Sequence, residues 1–356
     1  MKVAVLGSGN GGTALAADWS LAGHDVYMFD FEEFQQNIEA INKNGGISSE
    51  GEVEGFAKIK YAGTDIKNVI TGADLIFVVG PAYSTKPFGE ICKDYIEDGQ
   101  IVIVCPSSCA GSIVFKNALN DSNKENIIVA ETSTLPYACR ITEPGKVKVF
   151  LKLRGGLLIA ALPSHKTPEV YELFKEVYPN ASVAKNFLQT TLQNGNPVIH
   201  PAVTLLNAAL IERTKGDFYF YEDGVTPAVG KLIEAIDKER LNLGEKLGFD
   251  ILSEPDLGYI QGYMQIANYE EGYSTADGFK GIKAQSSLDH RYLNEDVGYG
   301  LVFMSELGKQ FGVPTPLMDS MIEITSVLVQ KNYREEKVRT MENLGLNKFS
   351  LEELYQ

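Results

Sequence analysis

Two kinds of hydrophobic pattern divide this chain. Over its first half, short and nearly continuous apolar runs recur between polar connections: "KVAVLG", "DVYMFD", "DLIFVVG", "QIVIVC" and "NIIVAE". Runs this short, rich in β-branched residues and without alternation, read as strands buried on both faces. "AKIKYA" reads as a third strand between the second and third of these, and "KVKVFLK" and "GLLIAAL" add two more strands later. Helical spacing fills the gaps. In "TALAADWSLAG" the residues Leu15, Ala16, Trp19 and Ala22 share a face and Gly23 stops the helix. "TPEVYELFKEVYP" is a helix opened by Thr167-Pro168. The alternation predicts an α/β domain over residues 1–185, a doubly wound parallel sheet of the Rossmann type with some later additions.

From residue 186 onward long stripes replace the short runs. "HPAVTLLNAALIERTKG" places Val203, Leu206 and Leu210 on one face. A Thr226-Pro227 cap opens a stripe of Val229, Leu232, Ile233, Ile236, Leu243 and Leu247 that ends at Gly248. "TPLMDSMIEITSVLVQ" repeats the design after Thr315-Pro316, and a polar, tyrosine-rich stretch covers roughly 255–300. Residues 186–356 therefore read as an all-α C-terminal substrate domain.

The first strand runs straight into Gly7-Ser8-Gly9-Asn10-Gly11-Gly12, then into the first helix, and the second strand closes on Asp30. Strand, GxGxxG, helix, strand and acid, in that order, form the dinucleotide fingerprint. Gly7 makes the turn, Gly9 lets a pyrophosphate approach the backbone, and Gly12 lets helix and strand pack closely. Ser8 and Asn10 complete the loop, whose helix end offers N–H groups to phosphate. Asp30 would accept hydrogen bonds from the adenosine ribose hydroxyls and repel a 2′-phosphate, which predicts NAD as the cofactor. Pro81 follows the strand "DLIFVVG" at the sheet edge where ligands of open α/β sheets bind.

Composition narrows the functions. Across 356 residues the formal net charge is −15, a field that repels nucleic acid. No apolar run is long enough to span a bilayer, and the N-terminus lacks the pattern of a secretory signal. Four cysteines without paired metal spacing predict no metal site and a cytoplasmic, reducing compartment.

Reduction of a C=O or C=N bond needs a proton donor beside the hydride acceptor, and histidine suits that task. Of the four histidines, His24 lies in a turn that reads as surface, His165 in a polar connection, and His290 before Arg291. His200, in "NGNPVIHP", opens the helical half. It reads equally as an acid/base or as a packed histidine at a helix start. Asp296 could orient it, or simply be a solvated or capping acid.

Taken together, "VAVLGSGNGGTALAA", "ETSTLPYACRITEPGKV", "NGNPVIHPAVTLLNAA", "YFYEDGVTPAVGKLIEAIDKER" and "RYLNEDVGYGLVFMSELGKQFGVPTP" resemble the opine dehydrogenase family along nearly the whole chain. The resemblance implies a Rossmann domain followed by a helical domain. It also implies reductive condensation of a 2-oxo acid, often pyruvate, with the amino group of an amino acid. His200 becomes the catalytic histidine and Asp296 its acidic partner. Arg291 becomes a carboxylate anchor, and Glu131 and Cys139 line the substrate side. A homodimer through the helical half is left open. Reductases of simple 2-oxo acids or glycerol phosphate precursors share the architecture but rely on a lysine in the substrate domain, where "NGNPVIHP" offers a histidine. A non-catalytic NAD-binding protein is the remaining alternative.

Overall fold

The computed structural model describes residues 1–120, 122, 124–336, 339–350 and 353. The chain forms two compact units, Met1–Thr190 and Thr191–Gln356. The sequence pattern put the division between residues 185 and 186.

In the first unit the strands are β1 (Lys2–Leu6), β2 (Asp25–Phe29), β3 (Gly46–Gly51), β4 (Gly55–Lys58), β5 (Tyr61–Gly63), β6 (Leu75–Val78), β7 (Ile101–Val104), β8 (Ile128–Thr132), β9 (Tyr137–Glu143), β10 (Lys146–Lys152), β11 (Leu157–Leu162) and β12 (Ala181–Val183). Among the described residues, eight of them form one sheet in the order β12-β11-β8-β7-β6-β1-β2-β5. The stretch from β8 to β5 is parallel throughout. β1 lies at its middle, which sets the glycine loop at the carboxyl edge of the sheet. Ala4, Leu6, Ile76, Val78, Val102 and Val104 are buried in a core shared with Phe29, Phe88 and Phe115, as expected of strands covered on both faces.

Three details correct the sequence reading. β11 is antiparallel to β8, so the later addition breaks the parallel pattern. β10 leaves the large sheet altogether and joins a second one, β4-β3-β10-β9. "AKIKYA" is split between β4, in the small sheet, and β5, at the edge of the large one. Local pattern marks a strand but carries no information about which edge will pair with it.

The second unit is helical among the described residues, and an isolated bridge joins Tyr219 and Lys283. The two long helices appear at the expected places, Pro227–Lys246 and Pro316–Val329, but only the first has a side-chain cap, and Thr315 makes none. Thr226 Oγ1 accepts from Val229 N–H at the start of the first. The third stripe does not survive: its helix is Asn196–Leu206, and a separate helix, Ala208–Thr214, follows a break at Asn207. The break turns Leu206 and Leu210 outward, and Ile211 takes the buried position instead. The polar stretch before residue 300 contains short helices, Glu254–Gln261, Glu271–Ser274 and Arg291–Asn294. A π-helical segment, Asp296–Leu301, then leads into the helix Val302–Phe311. Among the described residues no helix is long and apolar enough to cross a membrane.

Candidate active site

The glycine loop can be tested for its fit to a dinucleotide. Gly7 has φ of +108°, and a Cβ there would stand 2.0 Å from Val79 O. A Cβ on Gly12 would stand 1.9 Å from Gly7 O. These two glycines answer to close packing of protein on protein. Gly9 differs: a Cβ there would meet nothing within 4 Å. Its missing side chain leaves open space at the end of the helix Asn10–Leu21, and no side chain caps that end. Backbone donors facing open space at a helix N-terminus are what a pyrophosphate requires, so the loop fits NAD.

The neighbours of the loop hold it in shape. Ser8 donates from its backbone N–H and its hydroxyl to Asp30 Oδ2, at 2.6 and 2.7 Å. Asp30 Oδ1 accepts from Phe31 N–H at 2.9 Å. Asp30 is thus a brace for the loop as well as the acid closing the second strand. Asn10 is clamped from the other side: its Oδ1 accepts from Ile141 N–H, and its carbonyl accepts from the Cys139 thiol. Pro81 turns the chain after β6, and its carbonyl accepts from Ser84.

Cys139 and Glu131, expected to line the substrate side, both make contacts within the first unit. Cys139 is buried against the start of the first helix, and burial pushes its thiol up to about 12. Glu131 is fully buried. Ser112 donates to its Oε2 from both backbone and hydroxyl, and the Thr190 hydroxyl donates to Oε1. Burial raises the Glu131 pKa, and these hydrogen bonds oppose the rise. Its lone pairs serve to tie β8 to the neighbouring helix Gly111–Ala118.

In the second unit His200 and Asp296, distant in sequence, are in contact. His200 Nδ1 lies 2.7 Å from Asp296 Oδ2, and His200 Nε2 lies 3.0 Å from the Tyr221 hydroxyl. A carboxylate only accepts, so the neutral ring carries its proton on Nδ1 and receives the Tyr221 O–H on Nε2. Tyr292 stacks on the imidazole with ring centroids 4.0 Å apart. His200 and Asp296 are 7% and 4% exposed.

Local structure explains how this dyad is held. Pro197 sits in the first turn of the His200 helix, where its missing N–H costs nothing. Pro201 lies inside the helix, so the helical carbonyl of Pro197 loses its usual donor. Asp296 opens the π-helical segment, a widened turn often found at functional sites. A Cβ on Gly300 would come within 2.5 Å of the Pro197 ring, so this glycine allows the segment to lie directly against the His200 helix.

Arg291 donates from Nε to Glu295 Oε2 at 3.0 Å, and its side chain is half exposed while Glu295 is buried. His290 caps the short helix that carries Arg291. Burial lowers its pKa, the Arg291 charge adds to the fall, and Asp296 opposes it. His24 is not the surface residue expected: its ring packs on Trp19 at 4.9 Å, and its side chain is 10% exposed. Of the tyrosines in the polar stretch, Tyr292 covers His200, and Tyr263 stacks on Phe279, which in turn stacks on Tyr221. Tyr269 serves a buried aspartate, Asp237, and Tyr299 lies under Arg339. Sequence reasoning passed over Tyr221, although it lies in "YFYEDGVTP"; nothing in its spacing from His200 marks it.

Residues 2–108 match the family model described as NAD-dependent glycerol-3-phosphate dehydrogenase N-terminus. Residues 183–329 match the NAD/NADP octopine/nopaline dehydrogenase, alpha-helical domain. An opine dehydrogenase of Arthrobacter sp. (strain 1C) is 36% identical over 346 residues, which is 97% of this chain and 95% of that protein. An octopine dehydrogenase of Mizuhopecten yessoensis is 22% identical, over 94% of this chain and 91% of its own. The fold is also similar to that of octopine dehydrogenase solved with NADH and L-arginine, at a TM-score of 0.77 and 19% identity, covering 98% of this chain and 99% of that one. With a relative of this identity along almost its whole length, the chain belongs to the opine dehydrogenase family of NAD-dependent oxidoreductases.

Proposed function

We propose that this enzyme condenses a 2-oxo acid such as pyruvate with the amino group of an amino acid, reduces the resulting C=N bond with NADH, and catalyses the reverse oxidation. The observation that carries this reading is the buried His200–Asp296 pair in a chain of this family. A dinucleotide held by its pyrophosphate at the glycine loop would supply or accept the hydride through its nicotinamide ring.

His200 manages the proton. In opine oxidation the secondary amine gives up its proton towards His200 Nε2 as the C–H bond yields its hydride. The imidazolium so formed keeps its Nδ1–H on Asp296, whose negative charge offsets the new positive one. In the condensing direction the same proton returns to the substrate nitrogen. Asp296 also selects the tautomer that leaves the lone pair on Nε2. Arg291 is proposed to grip a substrate carboxylate: Glu295 fixes the guanidinium through Nε, and the two Nη groups suit a bidentate contact. Substitution by alanine would raise KM for one substrate.

We place the enzyme in the cytoplasm, a reading that its four buried free cysteines support. We also propose a homodimer through the helical unit. The exposed Ile324, Val327 and Leu328 on the helix Pro316–Val329 support it, and a monomer in sedimentation at micromolar concentration would reject it.

The deciding assay follows NADH oxidation with pyruvate alone and with pyruvate plus each amino acid. A secondary-amine dicarboxylate identified by mass, formed only when amine is present, is the expected result. A 2-hydroxy acid formed at the same rate without amine would replace this reading with an ordinary oxo-acid reductase. His200→Ala should cut turnover per folded molecule by about 10²–10⁴ while NADH binding stays near that of the parent enzyme.

A further inference from the structure

Both ring nitrogens of His200 are engaged. Asp296 holds Nδ1 and the Tyr221 hydroxyl holds Nε2, while Tyr292 covers a ring face. Nε2 is the nitrogen that has to exchange a proton with substrate, so Tyr221 either leaves it or passes the proton on.

The surroundings of Tyr221 oppose its leaving. Tyr221 is 4% exposed. It stacks on Phe279 at 4.3 Å and 20°, and Phe279 is itself backed by Tyr263 at 5.2 Å and 8°. Phe220 meets it edge-on at 5.0 Å. Burial, and then the negative charges that Tyr292, Glu254, Tyr263 and Asp296 can carry, raise its pKa well above that of an ordinary tyrosine, so the hydroxyl keeps its proton at neutral pH. A neutral hydroxyl can donate to one partner and accept from another at once.

We propose that the Tyr221 hydroxyl is the relay between His200 Nε2 and the reacting substrate nitrogen. In opine oxidation the amine N–H bond breaks and its proton bonds to the Tyr221 oxygen. The Tyr221 O–H bond breaks in turn and that proton bonds to Nε2, while the hydride leaves carbon for NAD and the C=N bond forms. Tyr221 ends neutral, His200 ends as imidazolium, and condensation reverses every step. This inference rests on the reaction proposed above and adds to it the group that meets the substrate.

Tyr221→Phe keeps the stacked ring and removes only the oxygen. With pyruvate and the fastest amino acid of the twenty, kcat should fall about 10²-fold or more, with KM values and thermal midpoint little changed. In mixtures of H2O and D2O the parent enzyme should give a curved proton inventory, two protons being in flight, and the variant a linear one. Parent-like kcat with an unchanged inventory overturns the relay. If His200→Ala is then inactive, the relay alone has failed and the opine reaction stands. Formation of a 2-hydroxy acid without amine removes the reaction and the relay together. A test that needs neither turnover nor a folded variant is the ¹⁵N spectrum of the parent protein. A His200 ring carrying its proton on Nδ1 is expected, and a proton on Nε2 overturns the relay.

Discussion

Gly9 and Gly12 sit on the same loop under opposite demands. Gly12 leaves room for the carbonyl of Gly7, whereas Gly9 faces open space. Gly12→Ala is therefore expected to lower the thermal midpoint, because backbone has to move. Gly9→Val should melt like the parent enzyme yet bind NADH about tenfold or more weakly, as read by fluorescence titration, since only the pyrophosphate loses its approach. Equal effects of the two on melting would contradict this division of labour. Asp30 carries the choice of cofactor. Its Oδ2 is taken up by Ser8 and one site on Oδ1 by Phe31, but the carboxylate charge remains where a 2′-phosphate would arrive. We expect kcat/KM to favour NADH over NADPH by roughly tenfold or more, the scale of a single 1.4 kcal/mol difference. Comparable values would refute that role for Asp30.

Among elements, the long helix Pro227–Lys246 anchors the start of the His200 segment. Arg240 and Asp237, both completely buried, pair through Nε and Oδ1 at 2.6 Å. Arg240 then donates to the carbonyls of Leu192 and Leu252, and Asp237 Oδ2 accepts from Glu254 N–H and the Tyr269 hydroxyl. This pair ties the residues preceding "NGNPVIHP" to the rest of the unit. Removing one partner leaves the other charge buried, so Arg240→Met should destabilise by about 3–5 kcal/mol in urea unfolding. Replacing Asp237 by Leu in the same chain should recover part of that loss. A cost below about 1 kcal/mol for the single variant would show that the pair does not anchor the segment.

Across the whole molecule, stability should depend on pH through a buried carboxyl that is costly to ionise. Glu254 is buried beside Gly195, and among the described residues its Oε2 finds no hydrogen-bond partner. Burial first, and then the Asp237 charge, push its pKa from 4.5 up to about 8, with Arg240 opposing. Between those values the folded chain holds a proton that the unfolded chain has released, so this group's contribution to stability falls as pH rises. Glu254→Gln should therefore gain on the parent protein through that window, by an amount on the order of a few kcal/mol, and the gap should level off above pH 8. A difference that stays constant from pH 5 to pH 8 would show that Glu254 does not titrate there.

Much of this architecture was legible before any coordinates. The buried runs of β1, β2, β6, β7 and β8, the glycine loop with Asp30, and the helices that start at Pro227 and Pro316 rest on local chemistry: apolar period, turn residues and helix-opening prolines. That information is carried by neighbours in the chain, and a one-dimensional pattern can hold it. What escaped the pattern depends on partners distant in sequence. β10 chose the small sheet because of β3 and β9, and the helix after His200 ended at Asn207 although its stripe continued. The bonds from Ser112 and Thr190 to Glu131 likewise join residues far apart in the chain. His200 and Asp296 could be named singly, and family resemblance could pair them, but spacing could not. Their meeting depends on the π-helical turn and on the absence of a side chain at Gly300, and Tyr221 enters only through its place in an aromatic stack. A hydrogen-bonded site is a relation between surfaces, and it exists only once tertiary packing has brought those surfaces together.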